Sequence, residues 1–144
     1  MLTLFILNSY ILTNMQLLKY HLPVIVCAGL IFFVSSISVL PTEIPDFNLR
    51  DKLVHFVEFA FFGILLWRSV AQWRLPLRGS KMLILALSVG IIYAASDEVH
   101  QFYVPGRDGN IMDWIADAIG LAVGVGSAYI FKARRDLNKS FAGK

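Results

Sequence analysis

Cysteine is almost missing from this chain: Cys27 is the only one in 144 residues. A single thiol cannot close an internal disulfide, and no CxxC metal spacing exists. Set inside an apolar run, Cys27 reads as a small hydrophobe. Charge is scarce too, with Asp, Glu, Lys and Arg making up 16% of the residues against about a quarter in a soluble domain. There is no internal repeat, no low-complexity tract and no HExxH metalloprotease signature. A net charge of +3 does not signal nucleic-acid binding, because the basic residues sit beside apolar runs.

What the chain has is hydrophobicity. Apolar residues reach 57% and the mean hydropathy is +0.65. Four runs approach the ~20 residues needed to cross ~30 Å of hydrocarbon. They are roughly Tyr20–Leu40, Leu53–Val70, Met82–Ala95 with a polar helical end to about Phe102, and Ile111–Phe131. Backbone groups in lipid must pair within their own segment, so these runs predict helices. The alternating ~10-residue segments of a membrane barrel are not seen. The expected fold is therefore all-α: a polytopic bundle of four transmembrane helices with an extra N-terminal apolar segment. Residues 1–19 form that segment, 20–131 the transmembrane domain and 132–144 a basic tail. Asn8 and Ser9 interrupt the segment, which suits an interfacial helix or an extension of the first span, and Met15 is an alternative start.

The connections alternate in charge. Lys19, Arg68, Arg74, Arg78, Lys81, Lys132, Arg134, Arg135, Lys139 and Lys144 fall on one side, and Arg50, Lys52 and Arg107 on the other. Nine of the ten acids fall with the smaller basic group, Asp136 alone lying opposite. The positive-inside rule then places the C-terminus in the cytoplasm and the first and third loops outside.

The polar residues of the spans collect at that outer end. Asp51, Lys52, His55 and Glu58 open the second span, Asp97, Glu98, His100 and Gln101 close the third, and Asp113 and Asp117 open the fourth. Asp51, His55 and Glu58 follow i, i+4, i+7 and share a face, as do Asp97 and Gln101 at i, i+4. Glu98 lies about 100° round from Asp97, free to meet a different neighbour. Asp113, Asp117, Gly120 and Gly124 form one stripe, whose glycines permit close helix approach. Ionised groups facing lipid are costly, so these carboxylates are expected to face the bundle interior or a water-filled cleft.

Two readings follow. In one, the cluster is a polar collar of caps and ion pairs, with Asp51 and Asp113 placed to suit helix N-termini. In the other it is a functional cleft. His55, Glu58, Asp97 and Glu98 are then the acid, base or ligand candidates, and Asp51, Lys52, Gln101, Arg107, Asp113 and Asp117 the binding candidates. Arg107, in the Pro105-Gly106-Arg107 turn, is placed to meet a phosphate. No cofactor is required, but His55 with Glu58 and Asp97 or Glu98 would suit a divalent cation. The expected partners are the bilayer and a lipid headgroup, with no nucleic acid. A transporter is disfavoured, since the inner halves of the spans are apolar.

Taken together, Asp51-Lys52-x-x-His55-Phe56-x-x-Phe59, Asp97-Glu98-x-x-Gln101-x-x-x-Pro105-Gly106-Arg107 and Asp113-x-x-x-Asp117-x-x-Gly120 resemble the VanZ-like family. Phe32-Phe33-Val34-Ser35-Ser36 adds to the likeness, which covers roughly residues 20–130. Asp117 departs from it, since the family often carries asparagine there. The resemblance implies a small protein of the bacterial inner membrane with an envelope role, and with it a lipid-linked envelope precursor or phospholipid headgroup as partner. The founding member is associated with low-level resistance to the glycopeptide teicoplanin. An intramembrane enzyme acting on a phospho- or glycolipid is the alternative activity.

Overall fold

The structure is a computed structural model that describes residues 15–38, 49–73, 75–77 and 79–143. Within these residues there are four helices and no strand. A π-helical turn, Leu17–His21, leads into α1, Leu22–Ser35; α2 is Leu49–Val70, α3 is Ser80–Phe102 and α4 is Ile111–Ala142. Each is long and apolar enough to cross a membrane, the first as the continuous stretch Leu18–Ser35. Pro23 cannot donate to the carbonyl four residues back, and the π-turn lies where that bond is lost. Residues 1–14 of the expected apolar segment lie outside the described residues, as does the loop 39–48.

Three boundaries differ from the sequence expectation, the second helix starting at Leu49, a turn before Leu53. The first helix ends at Ser35, not near Leu40, and Ser36 closes it with a backbone N–H to Phe32 and Phe33 oxygens. The last helix does not stop at Phe131 but runs on to Ala142. Nothing in 132–142 breaks a helix, and Lys132 pairs with Asp136 one turn on at 3.7 Å. The expected tail is thus mostly a continuation of α4.

The central packing is α2 against α4. Gly120 and Gly124 of α4 touch backbone directly: a Cβ on either would collide with the carbonyl of Phe56 or Ala60. From the other side, a Cβ on Gly63 would stand 2.8 Å from the Leu121 carbonyl oxygen. Lipid offers no hydrophobic drive between helices, so such close backbone approach is what holds them. Leu121 fills the space beside Gly90 of α3. Phe59, Phe62 and Tyr93 cluster where α2 meets α3, and Trp67 meets Tyr129 edge-on at 5.3 Å. Outward-facing Ile25, Val57, Phe61, Ile84, Ile92 and Val123 are exposed, as lipid-facing side chains are.

Candidate functional site

The backbone crossing of α2 and α4 lines up their polar ends. One turn above Gly120, Asp117 is fully buried, and its Oδ1 accepts from His55 Nδ1 at 3.0 Å. One turn higher, Lys52 Nζ donates to Asp113 Oδ1 at 2.6 Å, both side chains being largely buried. From α3, Glu98 brings Oε1 to 3.8 Å from His55 Nδ1. Its other oxygen, Oε2, accepts from the backbone N–H of Asn110 at 2.8 Å. Asn110 in turn caps α4, its Oδ1 accepting from Met112 N at 2.9 Å. Glu98 therefore ties the start of α4 to the end of α3. Gly109 makes room for this, since a Cβ there would stand 2.7 Å from the Glu98 carbonyl oxygen.

A second polar group joins α3 to α1. Asp97 Oδ2 accepts from Ser35 Oγ at 2.8 Å and from Gln101 Nε2 at 3.0 Å. Beside it, His100 stacks on Phe32 with ring centroids 4.3 Å apart and meets Ser36 Oγ through Nε2 at 2.9 Å. Arg107 reaches over the end of α1, donating from Nη2 to the Val34 carbonyl at 3.1 Å and from Nε to that of Ile37 at 3.3 Å. A guanidinium on the last carbonyls of a helix satisfies orphan acceptors and suits the dipole.

The carboxylate-bearing faces thus split between two neighbours. His55, Glu98, Asp113, Asp117 and Lys52 meet at the α2–α3–α4 junction, and Asp51 stands within ligand-sharing reach of His55 and Asp113. Asp97, Gln101 and Arg107 belong to the α1–α3 contact. Glu58 joins neither. Three residues on from His55 it is rotated by about 60°, and it lines an apolar groove of about 400 Å³ between α1 and α2, with Cys27, Leu30 and Val34. The guanidinium of Arg107 is engaged with backbone carbonyls rather than open on every side.

Several buried acceptors are left over. Glu98 Oε1, Asp117 Oδ2 and Asp97 Oδ1 have no hydrogen-bond partner among the described residues. Buried polar groups without partners are uncommon and cost stability, so the site is under-satisfied on its acidic side. A groove of about 430 Å³ between α3 and α4 runs beside it, with Ala95, Val99, Phe102, Ile111 and Trp114 as apolar walls and Glu98 in its lining.

A protein-family model described as VanZ/LLP1 matches residues 2–132. The chain belongs to the VanZ-like family. Comparison with curated proteins and with solved structures returns no match. In this VanZ-like protein the junction is built from residues of all three quoted motifs. Motif spacing missed Asn110, Ser35 and His100 as working partners. Asn110 carried a legible signal, an N-cap residue just before an apolar run. Ser35 stood in the Phe32–Ser36 stretch and His100 in the outer-end cluster, but a serine at a span end and an interfacial histidine are ordinary features that name no partner. A cavity of about 830 Å³ lies at the opposite end among Lys19, Arg68, Lys132, Arg135 and Lys139, far from these acids.

Proposed function

We propose that this VanZ-like protein has a cell-envelope role, binding the polar head of an envelope lipid or lipid-linked cell-wall precursor at the His55–Glu98–Asp117 junction. The observation that carries this reading is the α3–α4 groove. It is apolar along Val99, Phe102 and Trp114, and its lining includes Glu98, whose buried Oε1 has no partner among the described residues. An acyl or polyprenyl chain suits the walls, and a head bearing an amine or hydroxyl donor suits Glu98 Oε1. Charge asymmetry supports an outward-facing site in the bacterial inner membrane with the C-terminus in the cytoplasm. Protection against glycopeptides such as teicoplanin is one phenotype such binding would produce.

The test is lipid mass spectrometry on protein withdrawn from membranes in its native lipid shell. A lipid class enriched over the bulk membrane, and lost in Ala95→Trp, which fills the groove, is the expected result. A shell with bulk composition in both proteins would remove the reading.

One observation favours a second reading, an intramembrane enzyme acting on a phospho- or glycolipid. Asp117 holds His55 through Nδ1, the arrangement that leaves Nε2 to take a proton from an attacking hydroxyl or water. Purified protein incubated with envelope lipid extract would then generate a new species that His55→Gln abolishes. Unchanged lipids after prolonged incubation would exclude it.

A further inference from the structure

We propose that His55, Glu98 and Asp117 bind a divalent transition-metal cation, of the Zn²⁺ or Mn²⁺ class, at the buried junction of α2, α3 and α4. Each residue comes from a different helix, and one ligand atom from each lies within 4.8 Å of the others. All three side chains are buried, with 8%, 10% and 0% of their surface exposed.

Acids gathered at a helix end do not by themselves make a metal site. The second observation is the pair of oxygens left without donors. Glu98 Oε1 is buried, has no hydrogen-bond partner among the described residues and lies 3.8 Å from His55 Nδ1, so it points into the triad. Asp117 Oδ2 is equally unpartnered on a side chain with no exposed surface. Two carboxylates against one imidazole leave the junction short of positive charge, and low dielectric makes that imbalance expensive. A cation corrects it and gives Glu98 Oε1 the partner it lacks.

The donor set narrows the ion. One imidazole nitrogen with carboxylate oxygens suits Zn²⁺, Mn²⁺ or Fe²⁺ rather than a thiolate-seeking ion. Three protein ligands leave coordination positions open, as at sites that also hold an exogenous group. The Asn110 N–H on Glu98 Oε2 fixes that carboxylate from behind, the support a ligating group needs. The neighbouring trio of Asp51, His55 and Asp113 is less suited, because Lys52 already brings a cation to Asp113 and Asp51 is not buried.

The cation deepens the headgroup reading, with which it shares the cluster. It would take Glu98 Oε1 as a ligand beside the groove and offer an open position to a phosphate or carboxylate of the head, in place of the amine or hydroxyl contact. It is tested without lipid. Tag-free, chelator-stripped protein in detergent is dialysed against ZnCl₂ or MnCl₂ alone, and bound metal is measured by elemental analysis. About one equivalent in the wild type is expected. Roughly tenfold or greater weakening is expected in Glu98→Gln and in Asp117→Asn, the effect of losing a ligand charge. His21→Ala and His100→Ala should bind as the wild type does. Electron paramagnetic resonance of the Mn²⁺-loaded wild type needs no variant to fold, and should show coupling to one imidazole nitrogen. Absence of stoichiometric metal, or full binding in Glu98→Gln, overturns the site. Lipid enrichment without metal binding would keep the headgroup reading and discard this one. Metal binding with bulk lipid would do the reverse.

Discussion

Asp117 on α4 and His55 on α2 meet at 3.0 Å through Oδ1 and Nδ1, inside a junction where Asp117 has no exposed surface. Asparagine can keep that bond, because its side-chain oxygen also accepts. Asp117→Asn is therefore expected to stay folded, whereas Asp117→Leu strands His55 and loses about 1–3 kcal/mol. Thermal unfolding in detergent separates them: Asp117→Leu should melt several degrees below Asp117→Asn.

The α2–α4 crossing makes a sharper demand. Gly120→Ala and Gly124→Ala push a methyl into the carbonyls of Phe56 and Ala60, which are backbone and cannot rotate away. Overpacking of this kind costs about 1–3 kcal/mol or more. Gly126→Ala, with open space around its Cβ, should be neutral. Yield of monodisperse protein and melting temperature check all three.

Arg107 is expected to hold the end of α1. Its half-exposed position weakens its charged bonds, so Arg107→Ala should cost about 1 kcal/mol. Arg107→Lys should not restore it, because an ammonium lacks the planar fork that reaches two carbonyls. Hydrogen exchange at the C-terminal turn of α1 is the measurement. Faster exchange confined to that turn is the expected pattern, and unchanged exchange would remove this role.

Membrane orientation is testable because the chain has one thiol. In a Cys27→Ser background, Gly106→Cys should react with an impermeant maleimide added to intact cells, and Gln72→Cys only after lysis. The reverse pattern would place the acidic junction in the cytoplasm.

Helical periodicity carried the faces but not the neighbours. It put Asp97 with Gln101 and set Glu98 apart, and both relations hold in the structure. It could not say that Asp97 turns to Ser35 of α1 while Glu98 turns to His55 of α2, because which helix stands opposite is decided by packing. Glu58 shows the same limit. A seven-residue spacing put it on the face of Asp51 and His55, yet the residual rotation of about 60° from His55 suffices to send it towards α1. The glycine stripe of α4 was legible, while its partner α2 was not. The length of α4 was also hidden, since charged residues after Phe131 read as a tail although they are ordinary helix formers.

That length has a mechanical consequence. At 1.5 Å per residue the 32 residues of α4 measure about 48 Å, well beyond a ~30 Å hydrocarbon layer, and even a 40° tilt leaves several ångströms over. The acidic junction occupies its first two turns, so the surplus stands out at the far end as a rigid, cationic post bearing Lys132, Arg134, Arg135 and Lys139. Whatever grasps that cationic end pulls on the same rod that carries Asp117.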